Sequence, residues 1–108
     1  MGDRSHVEVY SMLLAFLEEH GQPLLEYGSA ERGLVRAHAL TFIGLLRTNH
    51  CRLLGVELWR LAGDRLEQDI SEIWYSKASD PEARYRDVEH YFRRVEAGPG
   101  DVFAIQFG

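Results

Sequence analysis

The sequence is poor in cysteine, in lysine and in uninterrupted apolar runs, and each shortage removes a class of protein. Cys51 stands alone, so no disulfide can form within the chain and no tetrahedral thiolate zinc site can be assembled from it. A reducing compartment fits, and the expectation is a cytoplasmic protein. Lys77 is the only lysine among 12 basic residues, which 17 acids outnumber to leave a net charge of −5. That balance argues against nucleic acid and against an anionic membrane, and favours a basic partner. Guanidinium forks suit protein interfaces, although genomic base composition produces the same arginine bias. Glu8, Glu18 and Glu19 interrupt the amphipathic stretch near the N-terminus, so neither a signal peptide nor a membrane span is readable. There is no phosphate loop, dinucleotide fingerprint, zinc-protease helix or nucleophile elbow.

What remains has the composition of one packed domain spanning residues 1–108, with 45% of its residues hydrophobic and 11% aromatic. Ser5 and Glu8 form a capping-box pattern. Val9, Met12, Leu13, Phe16 and Leu17 then recur at helical spacing, with Gly21 offering a left-handed stop. Pro23 and Gly28 break the period, so 22–30 reads as a loop whose Leu24, Leu25 and Tyr27 fold back on the core. A second helix is expected from about Glu31 to about Asn49, burying Val35, Ala39, Phe42 and Leu46.

From Arg52 the period becomes two. Gly63-Asp64 supplies a hairpin turn between strands at about Leu53–Ala62 and Arg65–Tyr75, pairing Leu61 with Leu66, Arg60 with Glu67 and Leu54 with Ile73. Asp80-Pro81 opens a third helix with Tyr85, Val88, Phe92 and Val95 inward, Gly98-Pro99 stops it, and Val102–Phe107 is a closing strand set beside the hairpin. The order helix, helix, strand, strand, helix, strand predicts an α+β fold: three helices on a small, largely antiparallel sheet. Phe16, Phe42, Leu54, Val88 and Phe92 are the expected core.

Among chemistry-bearing residues, His50 beside Cys51 is the one imidazole and sulfur neighbour pair. Adjacent side chains point apart as a rule, so a structural cysteine at a helix-to-strand junction is the plainer reading. Glu57, Glu67, Asp69 and Glu72 cluster in the hairpin with Trp74 and Tyr75. A solvated sheet face explains such acids most simply. Paired carboxylates can perform acid-base work or bind a hard cation, and a third use, holding a basic protein, fits the charge balance better than catalysis. Aromatics in small sheets usually serve the core, and alternation that hides Trp74 turns Tyr75 outward.

From Gly33 onward, over roughly two thirds of the chain, the sequence resembles a family of bacterial immunity proteins from polymorphic toxin systems, immunity family forty in the numbered series. Ala39-Leu40, Leu45-Leu46, the run Leu53-Leu54-Gly55-Val56-Glu57-Leu58, Trp74-Tyr75, Tyr85 with Val88, and Val102-Phe103-Ala104-Ile105 carry the likeness. Val56 stands where the family has a second glycine, Glu57 where it has an aspartate and Ile73 where it has an asparagine. The resemblance implies a cytoplasmic antidote that binds a cognate protein toxin and blocks its active site or productive conformation, without a cofactor, a metal or a catalytic group. The expected contact residues are Glu57, Glu67, Asp69, Glu72, Trp74 and Tyr75, facing a basic patch on the toxin. The alternatives are a protein-binding adaptor or oligomer subunit that uses the same face, and a small enzyme with a carboxylate or His50-Cys51 site.

Overall fold

The computed structural model describes residues 5–108. Helix α1 runs His6–His20, and the Ser5 hydroxyl accepts from the Glu8 amide at 3.1 Å, the expected cap. Gly21 is not left-handed as expected. At φ −89° and ψ 144° it is extended and feeds the chain directly into strand β1, Gln22–Pro23. Glycine is needed there because a Cβ would lie 2.5 Å from the Leu17 carbonyl oxygen and 2.9 Å from the Arg32 Cβ.

A 3-10 turn, Leu25–Tyr27, follows. Leu24 is fully buried as expected and Tyr27 packs beside it, but Leu25 is exposed. The second helix begins later than its periodicity implies. Arg32–Leu34 forms strand β2, and α2 occupies Arg36–Thr48. Strand β2 pairs antiparallel with the final strand, Gly33 opposite Ala104 and Leu34 opposite Phe103. Long-range pairing therefore overrides the local helical pattern. Val35 becomes the N-cap, exposed instead of inward, while Ala39, Phe42 and Leu46 are buried as expected.

Strand β3 spans Leu53–Ala62 and β4 spans Arg65–Gln68, with Arg60 opposite Glu67 and Leu61 opposite Leu66 as expected. The ladder then breaks. Asp69 caps a 3-10 turn, Ile70–Glu72, and pairing with β3 resumes only at β5, Trp74–Tyr75, where Val56 meets Trp74 and Gly55 meets Tyr75. The expected pairing of Leu54 with Ile73 is thus absent. A register shift between Leu53 and Gly55 also puts Leu53, not Leu54, in phase with Val56 and Leu58, which leaves Leu54 exposed instead of in the core.

Helix α3, Pro81–Arg94, is capped by Asp80, whose carboxylate accepts from the Ala83 amide at 2.9 Å. It ends before Gly98-Pro99. The Arg36 guanidinium, reaching across from α2, donates to the Phe92 and Val95 carbonyls and so satisfies the helix end. Strand β6, Val102–Phe107, lies between β2 and β3. The sheet is six-stranded, all its pairs are antiparallel, and its order is β1-β2-β6-β3-β4 with β5 also on β3. This is the α+β architecture read from the sequence.

All three helices cover one face of the sheet. Leu34, Val56, Leu58, Phe103 and Ile105 meet Leu13, Phe42, Leu46, Val88 and Phe92 there, with Phe16 half-buried at the margin. On the other face Leu24, Trp59, Leu66, Val102 and Ala104 form a smaller cluster beneath the 22–27 segment. Among the described residues no helix lies on the rest of that outer face.

A candidate protein-binding face

Strand alternation divides the six residues expected at a contact site. Val56 and Leu58 belong to the helix-covered core, so Glu57 points to the outer face. Trp74, opposite Val56, packs half-buried against the core, and Tyr75, opposite Gly55, is 55% exposed on the outer side. The aromatic pair therefore splits as alternation predicts, and Trp59 is the buried tryptophan.

The other acids do not join Glu57. Glu67 sits in register with Arg60, on the side of the sheet opposite Trp59, and is exposed. Arg60 forms its ion pair not with Glu67 but with Asp69, Nε to Oδ2 at 2.6 Å. Hydrogen bonds from Ser71, and then from the Arg60 guanidinium, hold the Asp69 carboxyl below its ordinary range. Glu72 accepts from Arg94 at 3.1 Å, and its backbone carbonyl accepts from the Tyr91 hydroxyl at 2.7 Å. Burial pushes Tyr91 up to about 12, so it stays a neutral donor. Glu72 and Trp74 are thereby tied to α3, and Trp74 shares a shallow hollow with Asp87, His90, Tyr91 and Arg94. The single acidic patch expected of the hairpin is in fact two separate groups.

What Glu57 does join lies far off in sequence. The Gln106 amide nitrogen donates to Glu57 Oε2 at 3.0 Å and to Glu31 Oε1 at 3.1 Å, bridging two carboxylates across β6. Burial, with the Glu57 charge adding to it, pushes the Glu31 carboxyl above its ordinary value, and the Gln106 bond only partly offsets this. The second oxygen of Glu31 is buried with no hydrogen-bond partner. Neither acid forms an ion pair among the described residues. Gly55 makes the arrangement possible, since a Cβ there would stand 2.8 Å from the Tyr75 ring and 2.9 Å from Gln106 Oε1. Side by side on the outer face are thus two uncompensated acids, a bridging amide and an exposed tyrosine.

Sequence reasoning missed Glu31 and Gln106. Glu31 falls where helical periodicity was read, and Gln106 looks like an ordinary position of a closing strand. A usable signal existed in alternation along β6: Ala104 and Gln106 share a face, and a polar residue next to a small one marks where that face loses its apolar cover.

The His50-Cys51 junction lines a separate cavity of about 330 Å³ together with Arg84 and Tyr85. His50 is left-handed at φ 57°. Burial pushes the Cys51 thiol up, away from the thiolate an activated nucleophile requires. The Tyr85 hydroxyl is engaged by the Cys51 carbonyl at 2.6 Å. No carboxylate pairs with His50 among the described residues, so the orienting acid of a nucleophilic triad has no counterpart there. Among the described residues no cluster of three or more histidine, cysteine or acidic side chains could hold a metal ion, and no helix is long and apolar enough to cross a membrane. No protein-family model, curated protein or solved structure matches the chain.

Proposed function

We propose that the chain is an immunity protein that binds a cognate bacterial toxin domain in the cytoplasm and neutralises it, using the outer sheet face as its contact surface. The observation that carries this is the Glu31–Gln106–Glu57 bridge beside Tyr75, where two carboxylates have no ion-pair partner among the described residues. A buried, uncompensated acid costs stability. A partner that presents arginine or lysine to it would supply the missing countercharge, and a tyrosine beside such a pair is a frequent interface anchor. The likeness to immunity family forty supplies the class of partner, and net charge −5 supplies its sign. Such an antidote requires surface complementarity and no reactive group. A patch of this chemistry would also serve a protein-binding adaptor.

Co-expression with toxin domains encoded beside it tests the reading. The chain should rescue growth from one of them, and Glu57→Lys should abolish rescue while its thermal midpoint stays that of the parent. Tight binding to a non-toxic protein, without rescue from any toxin, would favour the adaptor. His50→Ala and Cys51→Ser should protect as well as the parent, and loss of protection in both, with the fold intact, would favour an enzyme.

A further inference from the structure

We propose that α1 is a self-association surface and that two copies of the chain pair through it, helix antiparallel to helix, about a two-fold axis close to Tyr10 and Leu14. This rests on the exposed side of α1 and not on Glu57, Gln106 or Tyr75; only Glu31, which also lines one of its hollows, is common to the two surfaces.

The inward side of α1 is occupied: Leu13 is buried, and Val9 and Phe16 pack on the core. Beside it, Val7, Tyr10 and Leu14 follow one another at helical spacing and are 74%, 55% and 43% exposed. Three large apolar side chains in one stripe on one helix are not the scattered exposure expected of a soluble surface.

Hollows flank the stripe. One of about 350 Å³ is lined by Tyr10, Leu14 and Leu17 on its apolar side and by Glu18, Glu31 and Arg32 at its charged rim. The other, of about 310 Å³, is lined by Val7, Tyr10 and Phe107 and bordered by His6. Tyr10 is the ridge between them, its ring 6.3 Å from that of Phe107. A hydrophobic groove of this kind accepts an amphipathic helix with an aromatic projection. This chain presents such a helix in α1 itself. A two-fold interface requires ridge and hollow within the same patch, and both are here, so each Tyr10 can enter the other copy's hollow.

Charge selects the direction. His6 and the positive end of the helix dipole lie at one end of the stripe, Glu18 and Glu19 at the other. Antiparallel pairing sets the His6 imidazole of one copy, a hydrogen-bond donor in either protonation state, against the Glu18 carboxylate of the second, and opposes the dipoles favourably. Parallel pairing would bring Glu18 against Glu18. A net charge of −5 on each copy resists association, and three apolar side chains of one helix fall short of the roughly 20 to 30 residues a side that a stable interface uses. The dimer is therefore weak, with dissociation in the micromolar range.

Sedimentation equilibrium of the full chain from low to high micromolar concentration tests this. The apparent mass should rise from that of one chain towards twice that value. Tyr10→Glu and Leu14→Glu should each hold it at one chain, with thermal midpoints matching the parent because both positions are exposed. His6→Glu should weaken pairing at least tenfold, and adding Glu18→Lys to it should restore pairing. A monomer throughout the range overturns the proposal and leaves the stripe to a helix of another protein. A dimer indifferent to Tyr10→Glu and Leu14→Glu, or one that the charge swap fails to restore, overturns it as well.

Discussion

The two faces of the sheet treat charge in opposite ways. On the helix-covered side five acids tied to the framework have an arginine: Glu82 and Glu89 meet Arg47, Asp69 and Asp101 meet Arg60, and Glu72 meets Arg94. The same side buries the larger core, and Arg36 stitches α2 to the end of α3 while lying 5.8 Å from the centre of the Phe103 ring. On the outer side, Glu31 and Glu57 share only an amide. Paired charges at the rim of a core belong to the architecture and gain little from a visitor. Unpaired ones beside an exposed tyrosine gain most when a cation arrives. Asp69 and Glu72, which pairing removes from the expected patch, are thus acids the fold itself uses.

The largest effect that separates the faces is on stability. Phe92 is 3% exposed, with its ring 4.8 Å from Phe103 and 5.3 Å from Tyr91. Phe92→Ala should cost about 3 to 5 kcal/mol in urea unfolding, as a truncated core aromatic does. Tyr75→Ala, on the outer face, should stay within roughly 0.5 kcal/mol of the parent. Similar losses for the two would mean that the outer face is part of the core.

Binding should rank the same residues in reverse. Against the rescued toxin, Tyr75→Ala should weaken affinity by about tenfold or more, the scale of an aromatic anchor, and Glu57→Lys by at least as much. Glu67→Lys should bind as the parent does, because Glu67 lies in register with Arg60 on the other side of the sheet. Added salt should slow association more than it speeds dissociation. If Glu67→Lys loses binding and Glu57→Lys keeps it, the edge strand and not the outer face is the contact surface.

Elements announced by local chemistry were legible in the sequence. Gly63-Asp64 and Asp80-Pro81 act within a few residues of themselves, and β3, the start of α3 and β6 lie where those signals put them. Elements decided by distant partners were not. Arg32–Leu34 is a strand because β6 offers it an edge, and nothing near Glu31 in sequence says so. The bulge that ejects Leu54 and the 3-10 turn that resets the hairpin are likewise negotiated between strands. The candidate site shares this fate. Alternation turns Glu57 away from Val56, but the expected pairing of Leu54 with Ile73 would set Tyr75 on the opposite face, and only the reset that pairs Gly55 with Tyr75 brings the two together. Glu31 and Gln106 are separated by 75 positions and meet only once the sheet is assembled.

The finest test of the contrast is pH, because the two kinds of carboxylate should respond with opposite sign. Asp69 has its carboxyl lowered by Ser71 and Arg60. The stability it contributes is present above its unfolded value and is lost as pH falls through its folded value. Asp69→Asn should therefore lower the thermal midpoint at neutral pH and leave it nearly unchanged in acid, where the parent has already lost the interaction. Glu31 has its carboxyl raised by burial and by Glu57. Its contribution is fully present below its unfolded value and is lost as pH rises through its folded value, so at neutral pH the ionised group works against the fold. Glu31→Gln keeps an oxygen for the Gln106 amide and removes the charge. It should raise the midpoint at neutral pH, match the parent near the bottom of the carboxylate range, and weaken toxin binding, the trade expected where a site holds an unfavourable charge for a partner. Thermal scans of both variants at about pH 4 and about pH 7 decide it. A Glu31→Gln variant that melts lower than the parent at neutral pH would show that Glu31 is structural like Asp69, and would erase the distinction between the faces.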